Sequence, residues 1–428
     1  MNLDEVVNTL GIEDGAETLR PDWELSQRRM PEGELVFLSE DFIRRVCEQV
    51  FLPKEIVEAI LHAADVIRPN PSLNALAWYC HYCLFQSEER PAFARQWPEL
   101  TTALGRDAGL FNVLVLLSGT PQLEEFYRRR NIPFEVFRDT VLYLKLRLEG
   151  DDCRMDFGGH WGIRPSLLGW TREYWVGNVL RVGRLTYAFG NSLAKLRVFR
   201  HRIKGTVVAL SEPGIRYRFD GQVDGAGGVS DSSGAWTSEL NNTDTEIAGH
   251  PIDPRGHAMP QQISLARNEW HQELAPGDPI IELHMASGSP LAHDECGESL
   301  RQAMDFFPRH FSDRPFVGFT CYSWLLDAQF ETLLPSTSNL VRFQKEVYLF
   351  PVRGGNGATF EAVFGRNMID ITKAPRETTM QRAFARHIED GGHFRDGGCF
   401  LLPSEVSEWG SQFYRSQAAL PFQSQQGT

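Results

Sequence analysis

Residues 279–290 read Pro-Ile-Ile-Glu-Leu-His-Met-Ala-Ser-Gly-Ser-Pro. The first half, Pro279–Met285, has the alternation of a strand. A period of two places Glu282 and His284 on one face and Ile281 and Leu283 on the other. The second half, Ala286-Ser287-Gly288-Ser289, is a loop of small residues closed by Pro290. Glu298–Phe311 follows as an amphipathic helix, with Leu300, Met304, Phe307 and Phe311 on one stripe. A strand, a small-residue loop and a helix in this order let backbone N–H groups and a helix dipole face an anion. Between Pro290 and the helix, however, Asp294, Glu295 and Glu298 repel one.

Working outward, Phe316–Cys321 reads as a buried strand and Leu325–Leu334 as a short helix. Leu340–Phe350 and Ala358–Phe364 read as strands around the turn Arg353-Gly354-Gly355-Asn356-Gly357. Met380–Ile388 is a helix ending at Gly391-Gly392. Upstream, Arg184–Phe189, Arg197–Ile203, Thr206–Leu210 and Ile215–Phe219 have strand character. Residues 221–256 are rich in Gly, Ser, Asp and Asn, which predicts a long loop or insertion. Residues 36–150 carry helical signals throughout. Ser39 is an N-cap with acids after it, and Pro53 opens a helix with Ile56, Ile60, Leu61 and Ala64 on one face. Residues 1–35 read as a polar lead-in. The expectation is an α+β protein, with a helical domain at 36–150, a mixed-sheet domain flanked by helices at 151–405 and a tail at 406–428.

The 428 residues carry a net charge of −13 and 42% apolar residues. Collagen-like and wholly disordered classes are excluded. The length fits two or three domains, because one core rarely grows beyond roughly 250–300 residues. Residues 1–50 hold twelve acids and five bases, whereas Arg181–Leu210 holds seven Lys/Arg and no acid. An acidic chain is a poor default for nucleic acid, which needs a basic footprint. The N-terminus lacks the basic and apolar regions of a signal peptide, and no apolar run is long enough to span a bilayer. Seven scattered cysteines suit a reducing compartment. The expected location is cytoplasmic, without membrane or nucleic-acid partners. Cys80-His81-Tyr82-Cys83 is a lone pair of thiols in an apolar helix and reads as core; no metal is expected.

The order of elements from Pro279 onward resembles the acyl-CoA-dependent N-acyltransferases of the GNAT superfamily. More specifically, the chain is similar to a bacterial acyltransferase family with a helical N-acyltransferase N-terminal domain and a GNAT-like C-terminal domain. The similar blocks are Gly109–Thr140, Val182–Phe189, Ile281–Leu291, Glu298–Phe311, Cys321–Asp327, Leu334–Phe343 and Thr378–Gly398. They include Cys-Tyr-Ser-Trp-Leu-Leu-Asp and Ser-Asn-Leu-Val-Arg-Phe. There are departures. The family strand tends to read His-Ile-Pro where this chain has His284-Met285-Ala286, and often has a histidine where this chain has Tyr322. The pyrophosphate signature Arg/Gln-x-x-Gly-x-Gly/Ala is missing after the central strand. Its nearest string, Arg353–Ala358, is read as a hairpin loop.

The resemblance implies acyl-CoA as co-substrate, held by Met285, Ala286, Ser287, Gly288 and Ser289, and a small-molecule amine as acceptor. N-acyl transfer needs a group that takes the amine proton and one that protonates the departing thiolate. His284, with Glu282 beside it, is the candidate base, since imidazole titrates near neutrality. Tyr322 and Ser323 are candidate acids on opposite strand faces, so at most one lines the cleft. Cys321 is a candidate acyl carrier, or a small core residue. Arg200, Arg202 and Lys204 form a strand stripe that meets a coenzyme phosphate, an acidic substrate or only solvent. His393 is a weaker candidate. Three functions stay open. They are an acyl-CoA-dependent acyltransferase, a non-catalytic acyl-CoA-binding or regulatory protein on the same fold, and a carbohydrate-active enzyme, which lacks a paired-carboxylate motif.

Overall fold

In the computed structural model the described residues are 1–87, 96–150, 156–285, 290–355, 357–365 and 370–417. They divide into two compact units, Met1–Val182 and Gly183–Thr428. No helix among the described residues is long and apolar enough to cross a membrane.

The first unit is built of helices. Those of six residues or more among the described residues are α1 (Leu3–Leu10), α2 (Trp23–Arg28), α3 (Glu40–Gln49), α4 (Lys54–Ile67), α5 (Pro71–Phe85), α6 (Ala108–Leu117), α7 (Thr120–Arg129), α8 (Phe134–Glu149) and α9 (Pro165–Trp175). α5 and α6 are buried nearly all round, as expected of helices that are apolar on every face. The unit differs from its sequence reading at both ends. Residues 1–35 are not a polar lead-in, because Leu3, Val6, Leu10 and Trp23 of α1 and α2 are buried. At the other end, residues 156–182 complete the helical unit. A Cβ on Gly109 of α6 would stand only 2.6 Å from the Gly162 Cα, so two glycines let the α9 entry lie backbone to backbone on α6. The strand β1 (Val179–Val182) is tied to α8, where Thr140 Oγ1 accepts the Arg181 N–H at 2.9 Å.

The second unit holds a mixed sheet of β2 (Leu185–Asn191), β7 (Pro279–His284), β8 (Phe319–Ser323), β10 (Gly397–Leu401) and β9 (Tyr348–Pro351), in that spatial order. Between β2 and β7 the chain forms an antiparallel sheet. It contains β3 (Leu196–His201), β4 (Val207–Ser211), β5 (Pro251–Asp253) and β6 (Trp270–Leu274). The Tyr348 hydroxyl joins the two sheets, donating to the Ile252 carbonyl and accepting from the Ala209 N–H at 3.3 Å. α10 (His293–His310) covers one face of the mixed sheet. Phe307 meets Tyr187 and Phe189, and the Tyr187 hydroxyl lies 2.8 Å from Ser299 Oγ.

Three elements depart from the sequence reading. Residues 221–256 are not a plain loop, since they contribute the strands Trp236–Thr237, Leu240–Asn242, Glu246–Gly249 and β5. Leu340–Phe350 is strand only at its end, in β9; its first part is a helix, α11 (Asn339–Glu346). Leu340, Val341, Phe343 and Gln344 are buried while Arg342 faces solvent, a period between three and four rather than two. Ala358–Phe364 lies within a helix, α12 (Gly357–Phe364), and α13 (Thr379–Glu389) follows it before β10. The Arg353–Ala358 string therefore leads into a helix and not into the return strand of a hairpin.

All six cysteines among the described residues are unpaired and buried. Cys80 and Cys83 lie in the core of α5, as a core helix requires.

Candidate active site

The mixed sheet parts in its middle. β7 and β8 are parallel and pair through Ile281–Phe319 and Glu282–Thr320. Beyond that point both strands continue with other partners. His284 stands opposite Thr186 of β2, and Tyr322 opposite Gly398 of β10. The two strands therefore part just after Glu282.

Cross-strand partners share a face, so the register sorts the side chains. Glu282, His284, Thr320 and Tyr322 lie on one face, with Ala188 and Gly190 of β2, Gly398 and Phe400 of β10, and Phe350 of β9. Ile281, Leu283, Phe319, Cys321 and Ser323 lie on the other, the face that packs on α10. Glycine makes room at two places. A Cβ on Gly190 would stand 2.8 Å from Glu282 Oε1, and one on Gly398 would stand 2.2 Å from the Phe350 ring. Phe350 thereby reaches across Gly398 to Tyr322, edge to face at 5.7 Å.

His284 Nε2 lies 3.6 Å from Glu282 Oε2, and both side chains are about one third exposed. The pair sits at the mouth of the parting, close enough for the carboxylate to act on the imidazole through charge but too far for a hydrogen bond. Tyr322 is 38% exposed. Burial of its hydroxyl surroundings, and then the Glu282 carboxylate, holds the phenol above its ordinary range. It is therefore a protonated donor at neutral pH.

The remaining candidates separate from this group. Ser323 Oγ caps the following turn by accepting the Leu325 N–H at 3.2 Å. Cys321 is buried on the α10 face opposite Cys399. Buried there, its sulfur faces away from the Glu282 face, as a small core residue does and an acyl carrier for that face does not. Arg200 is neutralised by Glu273 at 2.7 Å and Glu405 at 2.8 Å, while Arg202 and Lys204 lie in the turn after β3. The expected basic stripe does not form. His393 lines a different cavity with Arg218 and Arg395. Met285 follows β7 directly; Ala286, Ser287, Gly288 and Ser289 lie outside the described residues.

Two residues at the parting have no counterpart in the sequence reading. Thr320, fully buried, has no hydrogen-bond partner for its hydroxyl among the described residues. Arg184, also buried, donates from Nε to the Pro290 carbonyl at 2.9 Å. Its guanidinium acts on the Cys296 thiol in the first turn of α10, so a positive charge stands where the acids of that turn are otherwise unfavourable to an anion. No cluster of His, Cys, Asp or Glu among the described residues is arranged to hold a metal ion.

A GNAT-like C-terminal domain profile matches residues 179–401, and an N-acyltransferase N-terminal domain profile matches residues 41–177. The chain belongs to the GNAT-like acyltransferase family. No curated protein matches it by sequence. Solved structures share the fold of this GNAT-like chain. An acyltransferase in complex with decanoyl-CoA and teicoplanin is 20% identical, with a TM-score of 0.63, over 94% of this chain and 99% of the other. An acyltransferase in complex with decanoyl-CoA is 21% identical, with a TM-score of 0.61 and the same coverage. In the GNAT-like frame, β7, β8 and α10 correspond to the elements predicted at Pro279–Met285, Phe316–Cys321 and Glu298–Phe311, with the helix starting earlier, at His293.

Proposed function

We propose that the chain transfers an acyl group from acyl-CoA to the nitrogen of a small amine, by direct attack on the thioester in the parting between β7 and β8. The observation that carries this reading is the end of the parallel ladder at Glu282–Thr320, with His284 and Tyr322 on the same face at its two lips. In the proposed reaction the thioester carbonyl lies in the gap and the amine approaches from the Glu282 face. His284 takes a proton from the amine as the C–N bond forms, and Glu282 stabilises the imidazolium. The tetrahedral intermediate then collapses with cleavage of the C–S bond, and the Tyr322 phenol gives its proton to the departing thiolate. Arg184 is the proposed counter-charge for the coenzyme phosphates near the start of α10. Relatives of the same fold crystallised with decanoyl-CoA, one of them with teicoplanin as well, support an acyl-CoA donor and a non-protein acceptor.

A second reading, an acyl-CoA-binding protein without turnover, is favoured by Asp294 and Glu295 in the first turn of α10, which oppose a phosphate there. Release of free coenzyme A from decanoyl-CoA with a panel of amines decides between the two. On the transferase reading, His284→Ala lowers kcat by about a hundredfold or more with an unchanged melting temperature. Binding of acyl-CoA without turnover for any amine selects the second reading. Failure to bind acyl-CoA at millimolar concentration in calorimetry removes both.

A further inference from the structure

On the Glu282 face of the sheet, Tyr322 and Phe350 form the floor of a cavity of about 420 Å³, a volume suited to a small organic molecule. Leu196, Tyr217 and Ile252 give it apolar walls. Its rim is basic. Lys195, Arg216 and Arg353 face a single carboxylate, Asp224. That carboxylate is already engaged, since Arg216 Nε donates to it at 2.9 Å. Lys195 and Arg353 have no acid and no hydrogen-bond acceptor against them among the described residues. Two uncompensated cations over an aromatic floor are unusual on a chain with a net charge of −13. The residue that floors the cavity, Tyr322, is also the phenol under the influence of Glu282.

We propose that this cavity is the acceptor subsite, and that it selects an amine with an aromatic or apolar body and a carboxylate remote from the reacting nitrogen. The proposal rests on the transferase reading for the word acceptor, but not for the binding preference itself. The aromatic body lies on Tyr322 and Phe350, the carboxylate meets Lys195 and Arg353 at the rim, and the amine points along the sheet face to His284. An uncharged isostere keeps the apolar contacts and loses the rim pairing. Exposed pairs are individually weak, and two together give about a tenfold preference.

The test uses 4-(aminomethyl)benzoate and 4-(aminomethyl)benzamide as matched probes. Their dissociation constants are measured by ligand-observed NMR on the full chain without acyl donor, so the result does not depend on turnover. Wild type is expected to bind the benzoate about tenfold more tightly than the benzamide. Lys195→Gln with Arg353→Gln is expected to erase that preference, leave benzamide binding unchanged and leave decanoyl-CoA affinity unchanged. Lys195→Glu, which sets one repulsion against the remaining attraction of Arg353, is expected to erase the preference as well. Both positions are exposed, and the melting temperature checks folding. Equal binding of the two probes, binding of neither at millimolar concentration, or a variant that loses decanoyl-CoA affinity while keeping the benzoate preference overturns the proposal. The last outcome assigns the cations to coenzyme phosphates. Absence of turnover together with the expected probe preference removes the transferase reading alone.

Discussion

Tyr322 is the residue on which the proposed chemistry and the neighbouring cavity meet. Its phenol is held protonated by burial and by Glu282. Tyr322→Phe is expected to lower kcat about a hundredfold, as loss of a general acid does, while the KM for acyl-CoA stays within about twofold. Steady-state kinetics of coenzyme A release check this, and an unchanged kcat means that the thiolate leaves without the phenol. The facing of Glu282 and His284 was legible in the sequence, because alternation alone sorts a strand. So was the separation of Tyr322 from Ser323. Which of those two faces His284 was not legible, because it depends on the register of β8 against β7. Thr320 was hidden for a similar reason, since a threonine in Phe-Thr-Cys-Tyr-Ser carries no mark of a ladder about to end. Arg184 meets Pro290 across more than a hundred residues of chain, and only the fold brings them together.

Among elements, β2 sets the Glu282 side chain through a glycine. The Gly190 φ is not in the left-handed region, so alanine is tolerated by the backbone. The Cβ it adds meets Glu282 Oε1 at 2.8 Å, the movable end of a side chain. Gly190→Ala is therefore expected to displace the carboxylate, cut kcat about tenfold, and cost less than about 1 kcal/mol of stability in urea unfolding. A large loss of stability with unaltered kcat contradicts this account. The strand, loop and helix beginning at Pro279 were readable because each has its own period. Residues 340–364 were not, because two short apolar segments resemble strands by composition. In Leu340–Glu346 the exposure of Arg342 between buried neighbours reveals a helix, and the sequence shows burial only once a core exists to receive it.

For the molecule as a whole, length predicts two or three domains, and the change of pattern after Gly150 places the boundary earlier than the structure does, at Val182. The helical signal of residues 165–175 belongs to the first unit because of the Gly109–Gly162 approach, a contact between distant glycines. The same unit contains a histidine that responds to acid. His81 is buried between Phe37, Trp78 and Phe85. The Ser118 hydroxyl donates to the Val115 carbonyl, so it accepts from His81 Nδ1–H at 2.6 Å, while Gln86 Nε2 donates to His81 Nε2 at 3.1 Å. Neither ring nitrogen has room for a second proton, and burial pushes the imidazole down to about 4. The unfolded chain takes up that proton near about 6.5. The stabilisation is therefore complete above about pH 6.5, and is lost as the pH falls to about 4, by about 3 kcal/mol. Urea unfolding followed from pH 7 to pH 4 is expected to show this loss, reduced in a His81→Gln variant; an equal loss in both assigns the acid response elsewhere.

The burial of the cysteines has a practical consequence. A thiol reagent reaches a core sulfur only when the surrounding structure opens, so the rate of labelling reads an opening equilibrium. Cys47, Cys80 and Cys83 lie in one unit, and Cys296, Cys321 and Cys399 in the other. With Cys153 replaced by serine, the chain has three intrinsic reporters in each unit. Mass spectrometry of timed labelling then gives two opening free energies from one sample, without any introduced probe. The same silence of the folded chain towards thiol reagents lets free coenzyme A be counted directly during turnover.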